Sequence, residues 1–90
     1  MFKYISMKTM TCKQLGGACD QKFSAATFEE IAEQSKKHGM EMYQKKDKLH
    51  IEAMADMQNL MKSPEAMQAW FAAKRSEFES LPENNSLSTN

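Results

Sequence analysis

Long apolar runs are missing from this 90-residue chain. Lys3 and Lys8 interrupt the opening stretch MFKYISMKTM. Neither the roughly 7–15 consecutive apolar residues of a secretory signal nor the roughly 20 of a membrane span occurs. No membrane association is expected, and the chain reads as cytoplasmic. An excess of charge of one sign is also missing, because 12 basic residues balance 12 acidic ones. A neutral chain has no electrostatic footprint for nucleic acid or anionic lipid. The balance is uneven only locally: residues 1–26 carry a net +3 and residues 76–90 a net −3. There is no Gly-rich phosphate loop, no nucleophile elbow and no Ser/His/Asp set, and only 2 histidines are present. Catalysis of its own is therefore not expected. Nor is there length for a second core, since a chain of this size buries only about 60–65% of its unfolded surface. With 41% hydrophobic and 27% charged residues, the composition is that of one soluble globular domain.

The secondary-structure signals divide the chain in two. Lys8–Lys13 (KTMTCK) alternates with period 2, a strand signal, and Asp20–Ala25 can return as its partner. Leu15-Gly16-Gly17 supplies the turn between them, giving a hairpin over 8–25. Met1–Ser6 adds little recognisable structure, and Met7 offers an alternative start. Thr27-Phe28-Glu29-Glu30 is a capping box. Phe28, Ile31, Ala32 and Ser35 then recur at helical spacing, and Gly39 stands where a left-handed cap belongs, so helix one is expected over 28–38. Met40–Lys46 is a connector. Asp47 serves as N-cap of a second helix over 48–62, with Ala53, Met54, Met57, Leu60 and Met61 on its apolar face and His50 and Ile51 at the edge. Ser63-Pro64-Glu65 restarts a third helix over 64–81, with Met67, Trp70, Phe71, Phe78 and Leu81 as its stripe, ended by Pro82. The fold expected is α+β: a two-stranded hairpin packed by one helix, then an antiparallel helical hairpin. Residues 83–90 read as a disordered tail.

Two cysteines remain, Cys12 and Cys19. In a reducing compartment they read as metal ligands, a redox pair or two small buried hydrophobes. A redox dithiol would favour Cys-x-x-Cys at a helix N-terminus, which is not the pattern here. If Cys12 ends the first strand and Cys19 starts the second, cross-strand pairing brings their Cβ atoms to about 4.5–5.5 Å, close enough to share one ion. Helix one must pack on the hairpin to bury Phe28 and Ile31, and its far end then carries His38 toward some point of that hairpin. The competing reading of His38 is a histidine that merely suits the negative end of a helix. His50 reads as a core-edge histidine, with a fourth ligand as the alternative. Asp20 reads as a turn residue, or else as a ligand or an acceptor for a histidine N–H.

These residues resemble a known family. Met7–Gly39 contains Cys12-Lys13-x-Leu15-Gly16-x-x-Cys19-Asp20, a Thr27-x-Glu29-Glu30 helix start and a His38-Gly39-Met40 helix end. As a set they resemble the DUF1059 family of small bacterial proteins, described as small metal-binding proteins. The resemblance covers about a third of the chain. It implies an α+β unit with Cys12, Cys19 and His38 as metal-ligand candidates; for a thiol-based site of this kind zinc is the expected ion. Many members carry a second histidine one turn before the His-Gly pair, where this chain has Gln34. Water, Asp20 or a partner residue is then left to complete four-coordination.

Nine methionines are unusually many. Thioethers can hold Cu(I), but Met54, Met57 and Met61 are helically spaced, which points to packing. A flexible Met/Trp/Phe stripe also suits partner binding. The second functional reading is accordingly a homo-oligomerising interaction module that uses the C-terminal helices and needs no metal.

Overall fold

A computed structural model describes residues 6–85. The expected α+β architecture is present. Strand β1 (Ser6–Thr11) pairs antiparallel with β2 (Lys22–Ala25), and three helices follow: α1 (Phe28–Gln44), α2 (Lys48–Leu60) and α3 (Pro64–Glu79). A two-residue strand β3 (Asn84–Asn85) pairs with Ser6 and Met7 on the other edge of β1. The tail expected to be disordered from residue 83 therefore begins with a return to the sheet, and residues 86–90 lie outside the described residues.

Alternation along the strands sets the buried face. Met10 pairs with Phe23 and both point into the core, while the Thr9 and Ser24 hydroxyls meet on the other face at 2.7 Å. Phe28 and Ile31, one helical turn apart, lay α1 over this sheet. Met10 and Ile31 are fully enclosed, and Leu15, Ala25, Cys12 and Phe78 complete the core.

Phe78 is the only buried residue of α3. Its ring meets Phe28 edge to face at 6.0 Å. The contact is reinforced on both sides. Lys8 Nζ donates to the Glu79 carbonyl at 2.7 Å, satisfying a free acceptor at the helix C-terminus. Arg75 lies over the Phe28 ring and pairs with Glu29 at 2.6 Å. That pairing holds the Glu29 carboxyl below its usual range. The rest of the expected Met/Trp/Phe stripe is less covered than its spacing suggests, since Leu60, Met67 and Phe71 are exposed. The core is concentrated at the hairpin, and α1 is the element that packs against both later helices.

Element boundaries differ from expectation in informative ways. The hairpin strands end earlier, at Thr11, and restart later, at Lys22, because a 3₁₀ turn over Lys13–Leu15 begins directly after Cys12. Gln14 Oε1 accepts from the Thr11 N–H at 2.8 Å, and Gly16 closes the turn with φ +97°. Helix α3 stops at Glu79 rather than 81, since Pro82 disfavours a helical Leu81 and Ser80 Oγ caps the Glu77 carbonyl. Helix α2 stops at Leu60 rather than 62, leaving three residues to reach the Ser63 cap of α3.

The largest correction concerns Gly39. It does not cap α1, which runs through it to Gln44 and absorbs most of the expected connector. The stop lies at Lys45-Lys46. Lys46 takes the left-handed conformation at φ +60°, its N–H donates to the Tyr43 carbonyl, and the Asp47 N–H donates to the Met42 carbonyl, both at 3.0 Å. These two bonds form a Schellman closure with lysine in the position glycine usually takes. One glycine in the helix body is tolerated because α2 packs there: a Cβ on Gly39 would lie 3.5 Å from Met54 Cε, an ordinary contact. Two substitutions follow. Gly39→Ala removes backbone freedom without a clash, and should raise stability by about 0.5–1 kcal/mol. Lys46→Gly relieves the left-handed strain and should add up to about 1 kcal/mol. Urea melts of both variants check this, and a loss of stability in Gly39→Ala would contradict the helical placement.

Candidate metal centre

The 3₁₀ turn positions the first sulfur. The Cys12 N–H donates to the Gln21 carbonyl at 2.8 Å, and its own carbonyl accepts from the Leu15 and Gly17 N–H groups at 3.0 and 2.8 Å. The side chain then points inward, buried at 3% exposure. Gly17 is what makes room: a Cβ there would overlap Cys12 Sγ. Cys19 sits across the same loop, tied to the turn by its carbonyl, which accepts from the Lys13 N–H at 3.0 Å. The two cysteines are therefore brought together by the loop rather than by strand pairing, which ended at Thr11.

Two helices supply the nitrogens. His38 lies just under two turns along α1 from Ile31. Its ring packs edge to face on Phe23 at 5.6 Å, and its Nε2 lies 3.3 Å from Cys19 Sγ. His50 occupies the first turn of α2 and is the one buried residue of that helix. Its Nε2 lies 3.5 Å from Cys12 Sγ, and the two imidazoles meet edge to face at 5.2 Å. One ligand-capable atom from each of Cys12, Cys19, His38 and His50 lies within 4.8 Å of all the others. These four side chains could hold a metal ion.

Both cysteines are thiols. Burial pushes the Cys12 thiol up from its ordinary value, while the backbone N–H groups of Cys19 and Ala18 pull it partly back. An isolated thiolate is thus disfavoured here, and a cation beside it would reverse the preference. Asp47 Oδ2 lies 2.6 Å from His50 Nδ1 and accepts the His50 backbone N–H at 3.1 Å. The ring contact first, and the backbone N–H second, hold the Asp47 carboxyl below its usual range.

All three residues expected as ligands fall in the cluster: Cys12, Cys19 and His38. His38 is not at a helix end, because α1 continues beyond it, so the dipole explanation of its position falls away. His50, read from the sequence as a core-edge residue, is the fourth member. Its signal was present in the Asp47-x-x-His50 spacing, where an N-cap is followed by a histidine that the same carboxylate can reach. Asp20 is not in the cluster; it is exposed and pairs at 3.6 Å with Lys13. Gln34 Nε2 donates to the Ser24 carbonyl at 2.9 Å and ties α1 to β2. Met54 and Met57 line a cavity beside Cys12 and His50, consistent with packing around the cluster.

Gly17 gives the sharpest test of this geometry. Gly17→Ala should displace the Cys12 sulfur, abolish metal uptake, and leave the secondary structure seen by circular dichroism intact. Undiminished metal uptake in this variant would refute the placement of Cys12.

Compared with known proteins, the chain matches no family model, no curated protein and no solved structure.

Proposed function

We propose that this chain is a small non-catalytic metal protein that binds one zinc ion through Cys12 Sγ, Cys19 Sγ, His38 Nε2 and His50 Nε2. The observation that carries this reading is the convergence of four ligand atoms from the hairpin loop, α1 and α2 within 4.8 Å of one another. The donor set fits the ion. Two thiolates and two imidazoles are a common tetrahedral zinc set. With zinc–sulfur and zinc–nitrogen bonds of about 2.3 and 2.0–2.1 Å, a tetrahedron has a sulfur–nitrogen edge of about 3.6 Å. The Cys12–His50 and Cys19–His38 separations are 3.5 and 3.3 Å. All four protein positions are used, which suits a structural ion rather than a catalytic one that keeps a site for water. The resemblance to the DUF1059 family supports the same reading from three of the four residues.

A structural role also accounts for α2. Its only buried residue is His50, and Leu49 and Leu60 are exposed. Apolar burial alone gives this helix little hold on the fold, and a bond from His50 to a shared ion would supply it.

Tag-free protein purified under reducing conditions should carry about one zinc ion per chain by elemental analysis. Replacement by cobalt should give a thiolate-to-metal charge-transfer band. Cys12→Ser, Cys19→Ser, His38→Ala and His50→Ala should each weaken binding strongly. Chelation should lower the melting temperature and speed hydrogen exchange first in α2. Metal content near zero together with no cobalt band would overturn the proposal.

A further inference from the structure

Asp47 stands at the joint between two helices, and a single carboxylate oxygen there makes two bonds. Oδ2 accepts the His50 backbone N–H at 3.1 Å, which caps α2. The same oxygen lies 2.6 Å from Nδ1 of the His50 ring. An ionised carboxylate only accepts, so Nδ1 must carry the ring proton. The neutral ring then has its lone pair on Nε2, and Nε2 is the atom that faces Cys12 Sγ at 3.5 Å. The backbone of Asp47 is fixed as well, since its N–H donates to the Met42 carbonyl and closes α1. The oxygen is thus held from one side by the end of α1, and on its other side it sets the ring that opens α2. His38 has a different support: its ring is wedged between Phe23 and His50.

We propose that Asp47 is a positioning residue for the metal centre, its Oδ2 fixing the tautomer and orientation of His50 so that Nε2 is presented to the ion. This rests on the metal reading above. The competing account makes Asp47 a helix cap and nothing more, and the two differ in a measurable way. Ser and Asn cap helices about as well as Asp. Serine is too short to cap the backbone and reach the ring together, and asparagine offers the ring an uncharged acceptor.

The experiment measures zinc affinity by competition with a chromophoric chelator for the wild type, Asp47→Ser and Asp47→Asn. It also records the metal-free melting temperatures and the ¹⁵N imidazole spectra. Asp47→Ser is expected to lower the metal-free melting temperature by a few degrees, because the buried Nδ1 loses its acceptor, and to lose about 10- to 100-fold in zinc affinity, whereas a residue that only caps the helix would leave both near the wild-type values. Asp47→Asn should fall between the two. In the metal-free wild type the His50 ring should carry its proton on Nδ1, and in Asp47→Ser the two tautomers should mix. Should Asp47→Ser fail to fold, the affinity and ring spectrum of Asp47→Asn carry the same comparison. Equal affinities in wild type and both variants would overturn the role of Asp47 while leaving the metal centre intact. A wild type that takes up no zinc would overturn both.

Discussion

Cys12 and His50 are buried against each other, and in a chain this small that pairing constrains everything around it. A buried polar group without a partner costs about 1–3 kcal/mol, a large fraction of what holds a small domain together. Here each polar side chain in the interior has one. Among the described residues no buried side-chain nitrogen or oxygen lacks a hydrogen-bond partner. The partners come from distant parts of the chain: Cys12 from the hairpin loop, His50 from the start of α2, Cys19 and His38 from the far side of the loop and the middle of α1. Satisfying these four groups therefore fixes where the loop, α1 and α2 lie relative to one another.

The apolar core and the polar cluster divide the labour by element. Met10, Phe23, Ala25, Phe28, Ile31 and Phe78 join the sheet to α1 and to the C-terminal half of α3. Helix α2 contributes nothing apolar to that set and enters only through His50. Burial pushes the Cys12 thiol toward its neutral form, so the protein alone does not favour charge at this point. Were a cation held there, the Cys12 thiol would have to give up its proton, so affinity for the cation would be tied to proton release, and the docking of α2 through His50 would belong to the same equilibrium.

Much of this was legible in the sequence, and where it was not the reasons are physical. Period-2 alternation around Met10 marked the hairpin, and Thr27, Asp47 and Ser63 marked three helix starts, because capping depends on one side chain and its local backbone. Helix ends were harder. Gly39 carries the signature of a cap, yet α2 packs against that segment and the helix continues, a tertiary effect that local propensity does not contain. The true end rests on Lys46, a residue whose left-handed conformation has no sequence signal. Three of the four clustered side chains were legible from the spacing of Cys12 and Cys19, from the helix carrying His38 and from the family resemblance. His50 was legible only as the less favoured alternative, a fourth ligand, because its place depends on how the chain turns between α1 and α2. The exposure of Met67 and Phe71 was missed for the same reason: periodicity identifies an apolar face but not what covers it.

The joint at Lys46-Asp47 has a consequence for how this chain tolerates change in length. Asp47 is at once the last participant in the closure of α1 and the first in α2, so no spare residue separates the helices. An insertion or deletion there would part the two sets of bonds and rotate His50 about the axis of α2 by about 100° per residue, away from Cys12. The three residues between α2 and α3 carry no such double duty. Variation in loop length among any descendants of this sequence should therefore gather near Met61–Ser63 and spare the joint before α2.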